Sequence, residues 1–215
     1  MELYFAPLAC SMSARIALNE AGATVKLVEV DTHAGRIPAT GEDYRAINPL
    51  GYVPALRLDD GTVLTENAAI LQYIADQYPQ AQLAPPPSDR VGRAKLRQWL
   101  SFISAELHKG LMTPLLGDKT PPEVKAWTLN KYGPRLAYLD AKLKDREFLL
   151  DRFSVADGYL TTVLNWTRAT PQIDLSVYPN VRAYLERMRA RPSVAAALAT
   201  EIPLFQAEVA RRKAA

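Results

Sequence analysis

The chain has 215 residues, 48% hydrophobic and 23% charged, with a formal net charge of +3 at pH 7. That apolar content over that length supports one large folded domain or two small ones, and so mild a charge gives no electrostatic reason to expect a nucleic-acid partner. One cysteine, Cys10, excludes an internal disulfide framework, and no stretch approaches the about 20 uncharged apolar residues of a membrane helix.

In chain order, ELYFAP reads as a short strand ending at Pro7, and SMSARIALNEAG as a helix that stops at Gly22. The N-terminus opens on Glu2 without the basic region of a signal peptide, so a cytoplasmic protein is expected. TVKLVEVD alternates apolar with polar residues as a second strand does, and a polar, glycine-containing stretch follows from Thr32 to Gly41. VPALRLDDGTVLTE gives two further strands around the turn signal Asp60-Gly61, and ENAAILQYIADQY is a helix ending before Pro79. The order β-α-β-loop-β-β-α suits a small mixed sheet covered by helices.

Three consecutive prolines in QAQLAPPPSD then favour a stiff extended connector. Beyond it only helical patterns remain, roughly 89–115, 121–145, 154–170 and 178–200. The expected organisation is an α/β domain over 1–80, a proline-rich linker over 81–88 and an all-helical domain over 89–215. The basic run Arg90, Arg93, Lys95, Arg97 lacks interleaved aromatics and reads as a solvated helix face.

Cys10 falls between a strand end and a helix start, where free N–H groups and the positive end of the helix dipole stabilise a thiolate. Taken alone, the stretch favours a small buried packing residue over a reactive thiol. The proline in NPLGYVPAL directly precedes a hydrophobic strand. If the Val53-Pro54 bond is cis, the backbone N–H and C=O of Val53 can pair with an extended peptide; a trans proline would simply open an edge strand. In LTENAAI, Thr65, Glu66 and Asn67 sit at a helix start that offers N–H groups to a carboxylate, with Glu66 suited to an ammonium. A short γ-glutamyl peptide with its own thiol would use all three loops.

The helix RVGRAKLRQWLSFISAELHKGL has a core seam at Leu96, Leu100, Ile103, Leu107 and Leu111, with His108 one position past it beside the small residues Ser101, Ser104 and Ala105. A lone helical histidine is commonly surface or core filler. FSVADGYL carries a capping box, Ser154 with Asp157, and Phe153 as a hydrophobic staple, which acts on folding. Trp99, Trp127 and Trp166 read as packing, and His33 has no second ligand at metal-binding spacing, so no metal site is expected.

Taken together, LYFAPLACSMSARIAL, NPLGYVPAL, LTENAAILQYIAD, ELHKG and FSVADGYL, in this order, resemble the bacterial beta-class glutathione transferases over nearly the whole chain. The resemblance implies a thioredoxin-like N-terminal domain joined to a helical bundle as a homodimer, with glutathione as co-substrate and a small hydrophobic electrophile as its partner. It also implies that the histidine matching His108 faces the cysteine across the domain cleft, serving Cys10 as a stabilising cation or a proton shuttle. The implied glutathione contacts are Cys10, Val53, Pro54, Glu66, Asn67, Ser101, Ala105, Glu106, His108 and Lys109. Family members often carry a lysine where this chain has Gly35-Arg36, so Arg36 is expected to supply that charge; Ser101 replaces a usual asparagine and Asn67 a usual serine. Thiol-disulfide exchange through Cys10, and glutathione binding without turnover, are the alternatives.

Overall fold

The structure, a computed structural model, describes residues 1–214 and divides into two compact units. The first comprises Met1–Leu83 together with Pro192–Ala215, the second Ala84–Arg191.

In the first unit four strands, β1 (Glu2–Phe5), β2 (Lys26–Glu29), β3 (Ala55–Arg57) and β4 (Val63–Leu64), form one sheet in the order β2-β1-β3-β4. β1 runs parallel to β2, with Leu3 opposite Leu27, and antiparallel to β3, with Leu3 opposite Leu56. The parallel pair needs a crossover, supplied by α1 (Met12–Glu20); α2 (Asn67–Gln77) follows the hairpin. Met12 to Leu18 are all buried, because α1 packs against both α2 and the C-terminal helix. On the opposite side of β1, Tyr4, Val30, Ile37, Tyr44 and Ala55 form a core closed by the 31–48 segment.

The second unit is helical: α3 (Arg90–Phe102), a π-helical stretch (Ile103–Met112) and α4 (Thr113–Leu116) run on as one rod. They are followed by α5 (Pro122–Tyr132), α6 (Pro134–Leu143), α7 (Val155–Asn165) and α8 (Pro179–Ala190). α9 (Pro192–Ala214) returns to the first unit.

Three expectations are corrected. A single helix over 121–145 is two, broken at Gly133 and Pro134, and the helix over 178–200 divides at Arg191 and Pro192. In both places proline supplies no N–H and its ring crowds the carbonyl four residues earlier, so the preceding helix stops. The third concerns the assignment of 192–215 to the helical domain: α9 instead lies on α1. Arg15 Nε–H donates to Glu201 Oε1 (2.6 Å), Asn19 to the Ser193 carbonyl (3.0 Å), and Arg211 to Glu29 (2.6 Å).

Candidate functional site

In the first unit the three predicted loops meet through named contacts. The Cys10 thiol donates to the Val53 carbonyl (3.0 Å), and the Val53-Pro54 bond is cis. Ser13, the second residue of α1, donates to the Cys10 carbonyl (2.7 Å) and accepts from the Asn67 side-chain amide (2.9 Å). The starts of α1 and α2 are thereby tied together behind the cysteine. Asn67 is buried and its amide is taken by Ser13, so what it can offer a ligand is its backbone N–H at the open end of α2. Glu66, beside it, is exposed and held at φ 64°, a left-handed conformation rare for a residue with a side chain.

The cysteine loop is held from beneath. Leu8, at φ 58°, donates its N–H to Glu201 Oε2 (2.7 Å), and Ser11 Oγ bonds both the N–H and the carbonyl of Ala6 (3.2 Å each). Cys10 itself is half-buried.

Gly35 and Arg36 lie in the 31–48 segment. Gly35 is buried at φ 68°, a conformation that favours glycine, while the nearest neighbour of a Cβ there would be the tip of the exposed, flexible Arg45 side chain, which can move aside. Arg36 is exposed and donates to the Gly41 carbonyl of its own loop (3.2 Å). Tyr44 connects this segment to the site: its N–H bonds the Gly35 carbonyl and its hydroxyl the Tyr52 carbonyl (2.9 Å each), next to Val53.

In the second unit His108 lies on the π-helical stretch, only 8% exposed. At a helical period of 3.6 it falls beside the apolar seam; a π-helix, bonding i to i+5, widens the turn and turns both His108 and Met112 inward with Leu107 and Leu111. Gly110 lets α5 pack closely against this stretch, because a Cβ there would meet the Tyr132 ring at 2.4 Å. The imidazole Nδ1 is 2.7 Å from the Tyr159 hydroxyl, and the ring meets Trp166 edge-on at 4.9 Å and Tyr159 at 6.0 Å. Burial, with the Lys109 charge as a smaller contribution, pushes the imidazole down to about 4, so His108 is neutral near pH 7. That state does not supply the stabilising cation anticipated for His108.

The other predicted residues of this helix face differently. Ser101, Ala105 and Lys109 are exposed, and Glu106 accepts from Arg135 Nε–H (2.7 Å) on the wall of an open depression of about 430 Å³ lined also by Phe102, Pro134 and Tyr138. Two residues around His108 escaped the sequence reading. Tyr159 was hidden within the apolar run of α7, and Trp166 read as packing; the one available signal was an aromatic spacing that any core helix shares. Among the described residues no three His, Cys, Asp or Glu side chains converge as a metal site, and no helix is long and apolar enough to cross a membrane.

Residues 9–77 match the family model of the glutathione S-transferase N-terminal domain, and residues 103–192 that of the C-terminal domain. The chain is 43% identical to glutathione S-transferase GstA of Escherichia coli O157:H7 across 94% of its own length and 98% of the relative. A sphingomonad glutathione S-transferase solved as a complex with glutathione superposes with a TM-score of 0.88 at 43% identity, covering 94% of this chain and 98% of that one. The beta-class glutathione S-transferase of Sphingomonas chungbukensis superposes at 0.87 and 44% identity, with the same coverage. The chain belongs to the glutathione S-transferase family, as the order and contacts of its cysteine, proline and helix-start loops had indicated.

Proposed function

We propose that this protein is a glutathione transferase that joins glutathione to small hydrophobic electrophiles, a detoxifying activity exercised in the cytoplasm by a homodimer. The observation that carries this reading is the hydrogen bond from Cys10 to the Val53 carbonyl, with the start of α2 tied in through Ser13 and Asn67. The cysteinyl residue of glutathione then lies along Val53, taking over the carbonyl that Cys10 now holds. The γ-glutamyl end lies at Glu66, whose carboxylate suits the ammonium, and at the backbone N–H of Asn67, which suits the carboxylate. The glycyl carboxylate is assigned to the Gly35-Arg36 segment, and the electrophile to the helical unit, where Ser101, Ala105, Glu106, His108 and Lys109 complete the contacts.

In conjugation the glutathione thiolate attacks the electrophilic carbon; an S–C bond forms, the leaving group departs with its electron pair, and the thiol proton passes to solvent. The dimer belongs to this reading through the family resemblance, and sedimentation equilibrium reads it directly.

The test is the alkylation rate of the single thiol across pH, with and without glutathione. A depressed titration midpoint with protection by glutathone's binding is the expected result. Protection with an ordinary midpoint demotes Cys10 to a bystander, and an unprotected, unreactive thiol removes the transferase reading. Because Cys10 is a half-buried thiol at a helix start, a second reading is thiol-disulfide exchange. There the Cys10 thiolate attacks the glutathionyl sulfur of a mixed disulfide, expels the other thiolate, and is freed by a second glutathione as glutathione disulfide. Cys10→Ala separates the two: loss of exchange alone assigns exchange to Cys10, and loss of both makes it common to both reactions. Saturable binding with no turnover of either kind identifies a binding protein.

A further inference from the structure

The stretch NPLGYVP carries the Val53 backbone, yet its outer residues give it little to rest on. Pro49, Leu50 and Tyr52 are exposed, and what holds the stretch from within is a pair of buried side chains, Tyr44 and Asn48. We propose that Tyr44 and Asn48 are positioning residues that clamp the Tyr52–Val53 peptide, so that Val53 presents a preformed edge to the cysteinyl backbone of glutathione. This assignment rests on the transferase reading for its ligand but not for its geometry.

The clamp closes on one atom. The Tyr52 carbonyl oxygen accepts from the Tyr44 hydroxyl (2.9 Å) and from the Asn48 side-chain amide (2.7 Å). Asn48 is set by its own turn. Its N–H donates to the Tyr44 carbonyl (3.0 Å), its side-chain oxygen accepts from the Leu50 N–H (3.2 Å), and its carbonyl accepts from the Gly51 N–H (2.8 Å). Tyr44 is set by the core: its fully buried ring lies 5.7 Å from that of Tyr4, in the cluster with Val30, Ile37 and Ala55. Burial holds the Tyr44 phenol well above its ordinary value, against a smaller opposing effect of the Asn48 amide. The hydroxyl therefore stays a donor across the range in which a cysteine thiol ordinarily titrates.

The consequence follows from peptide planarity. The one cis peptide bond among the described residues is Val53-Pro54, so the Tyr52–Val53 bond is trans and its C=O and N–H point in opposite directions. With the carbonyl turned toward Tyr44 and Asn48, the Val53 N–H is turned away from them. The Val53 carbonyl, one residue on, accepts from the Cys10 thiol. An extended peptide that pairs with this edge needs both Val53 groups in fixed directions, and an edge already fixed spares the cost of ordering it on binding.

The experiment uses full-length Tyr44→Phe, Asn48→Ala and the double variant. Glutathione binding is read by isothermal titration calorimetry, and 15N backbone relaxation is measured on the unliganded proteins. Tyr44→Phe keeps the buried ring and removes only the donor. Each single variant should raise Kd about fivefold, the worth of one hydrogen bond. The double variant should exceed the product of the two, because each donor still holds the carbonyl when the other is lost. KM for glutathione should follow Kd, with kcat and KM for an activated aryl chloride unchanged. Order parameters at Gly51, Tyr52 and Val53 should be about 0.85 in the unmodified protein and fall below about 0.6 in the double variant. A lowered urea midpoint with unchanged Kd makes the two side chains merely structural and overturns the proposal. An edge already mobile in the unmodified protein, or equally rigid in the double variant, overturns it too. Should the double variant fail to fold, the single variants decide by the same readouts. Relaxation needs no glutathione: an edge that loosens as expected in a protein that binds none confirms the clamp and counts against the transferase reading, whereas binding that the variants leave unchanged counts against the clamp alone.

Discussion

A neutral, buried His108 has a cost that varies with pH. In the unfolded chain the imidazole titrates at its ordinary value of 6.5, and in the folded protein at about 4. Between those values the unfolded state binds more protons, so stability is complete above pH 6.5 and is lost as pH falls toward 4. The loss is about 2 kcal/mol by pH 5. His108→Gln removes the titration, and the stability difference between it and the unmodified protein should shrink by about that amount from pH 7 to pH 5, measured by urea unfolding. A difference that stays constant across the range would mean that the folded imidazole is not held neutral by burial. The sequence showed His108 as a candidate through its ELHKG context, but not its burial. A reading at 3.6 residues per turn cannot see the π-helical widening that turns position 108 inward. Tyr159 and Trp166 were illegible for a related reason: an aromatic that holds a site and an aromatic that fills a core leave the same trace in a sequence.

At the scale of elements, the Ser154/Asp157 box was read from spacing alone, yet its reach is wider than capping α7. The Asp157 carboxylate, fully buried, accepts from the N–H of Ser154 and of Leu149 (2.9 Å each), from the Ser154 hydroxyl (2.9 Å) and from the Tyr184 hydroxyl on α8 (2.9 Å). It joins the start of α7, the preceding loop and α8 in one charge-assisted cluster. Removing a cap hydroxyl typically costs about 1 kcal/mol, so Ser154→Ala should do no more than that. Asp157→Ala leaves four donors without their acceptor and should cost about 3 kcal/mol or more. Equal urea midpoints for the two variants would reduce Asp157 to a simple cap. The elements on either side show where spacing fails. The strand–helix order of residues 2–77 was legible because Gly22, Asp60-Gly61 and Pro79 each mark an end. The breaks at Pro134 and Pro192 carried an equally clear signal, but apolar periodicity continues across both prolines and masks it.

For the whole molecule, the division into two units separates the chain's order from its folding. Both termini belong to the first unit, which the helical unit interrupts, so α1 gains its covering helix only when the last 24 residues arrive. Nothing in the sequence pattern assigns α9 to one unit or the other: Arg15 reads as a charge interrupting an apolar helix, Glu201 as one more charge on a surface helix. Their pairing appears only in three dimensions, with side chains 6% and 0% exposed, and the second carboxylate oxygen of Glu201 holding the Leu8 N–H two residues before Cys10. Breaking a buried pair from one side strands the other charge, which costs about 3–5 kcal/mol. Glu201→Ala should therefore lower stability by that amount in urea unfolding, and it should also speed alkylation of Cys10 under native conditions, since the loop at Leu8 loses its anchor. Replacing both partners, Arg15→Met with Glu201→Leu, restores apolar packing without stranding a charge and should recover most of the stability but not the protection of Cys10, because Leu8 still lacks its acceptor. If the double variant instead protects the thiol as well as the unmodified protein does, the C-terminal helix steadies the cysteine loop through packing alone, and the Glu201 carboxylate is dispensable to it.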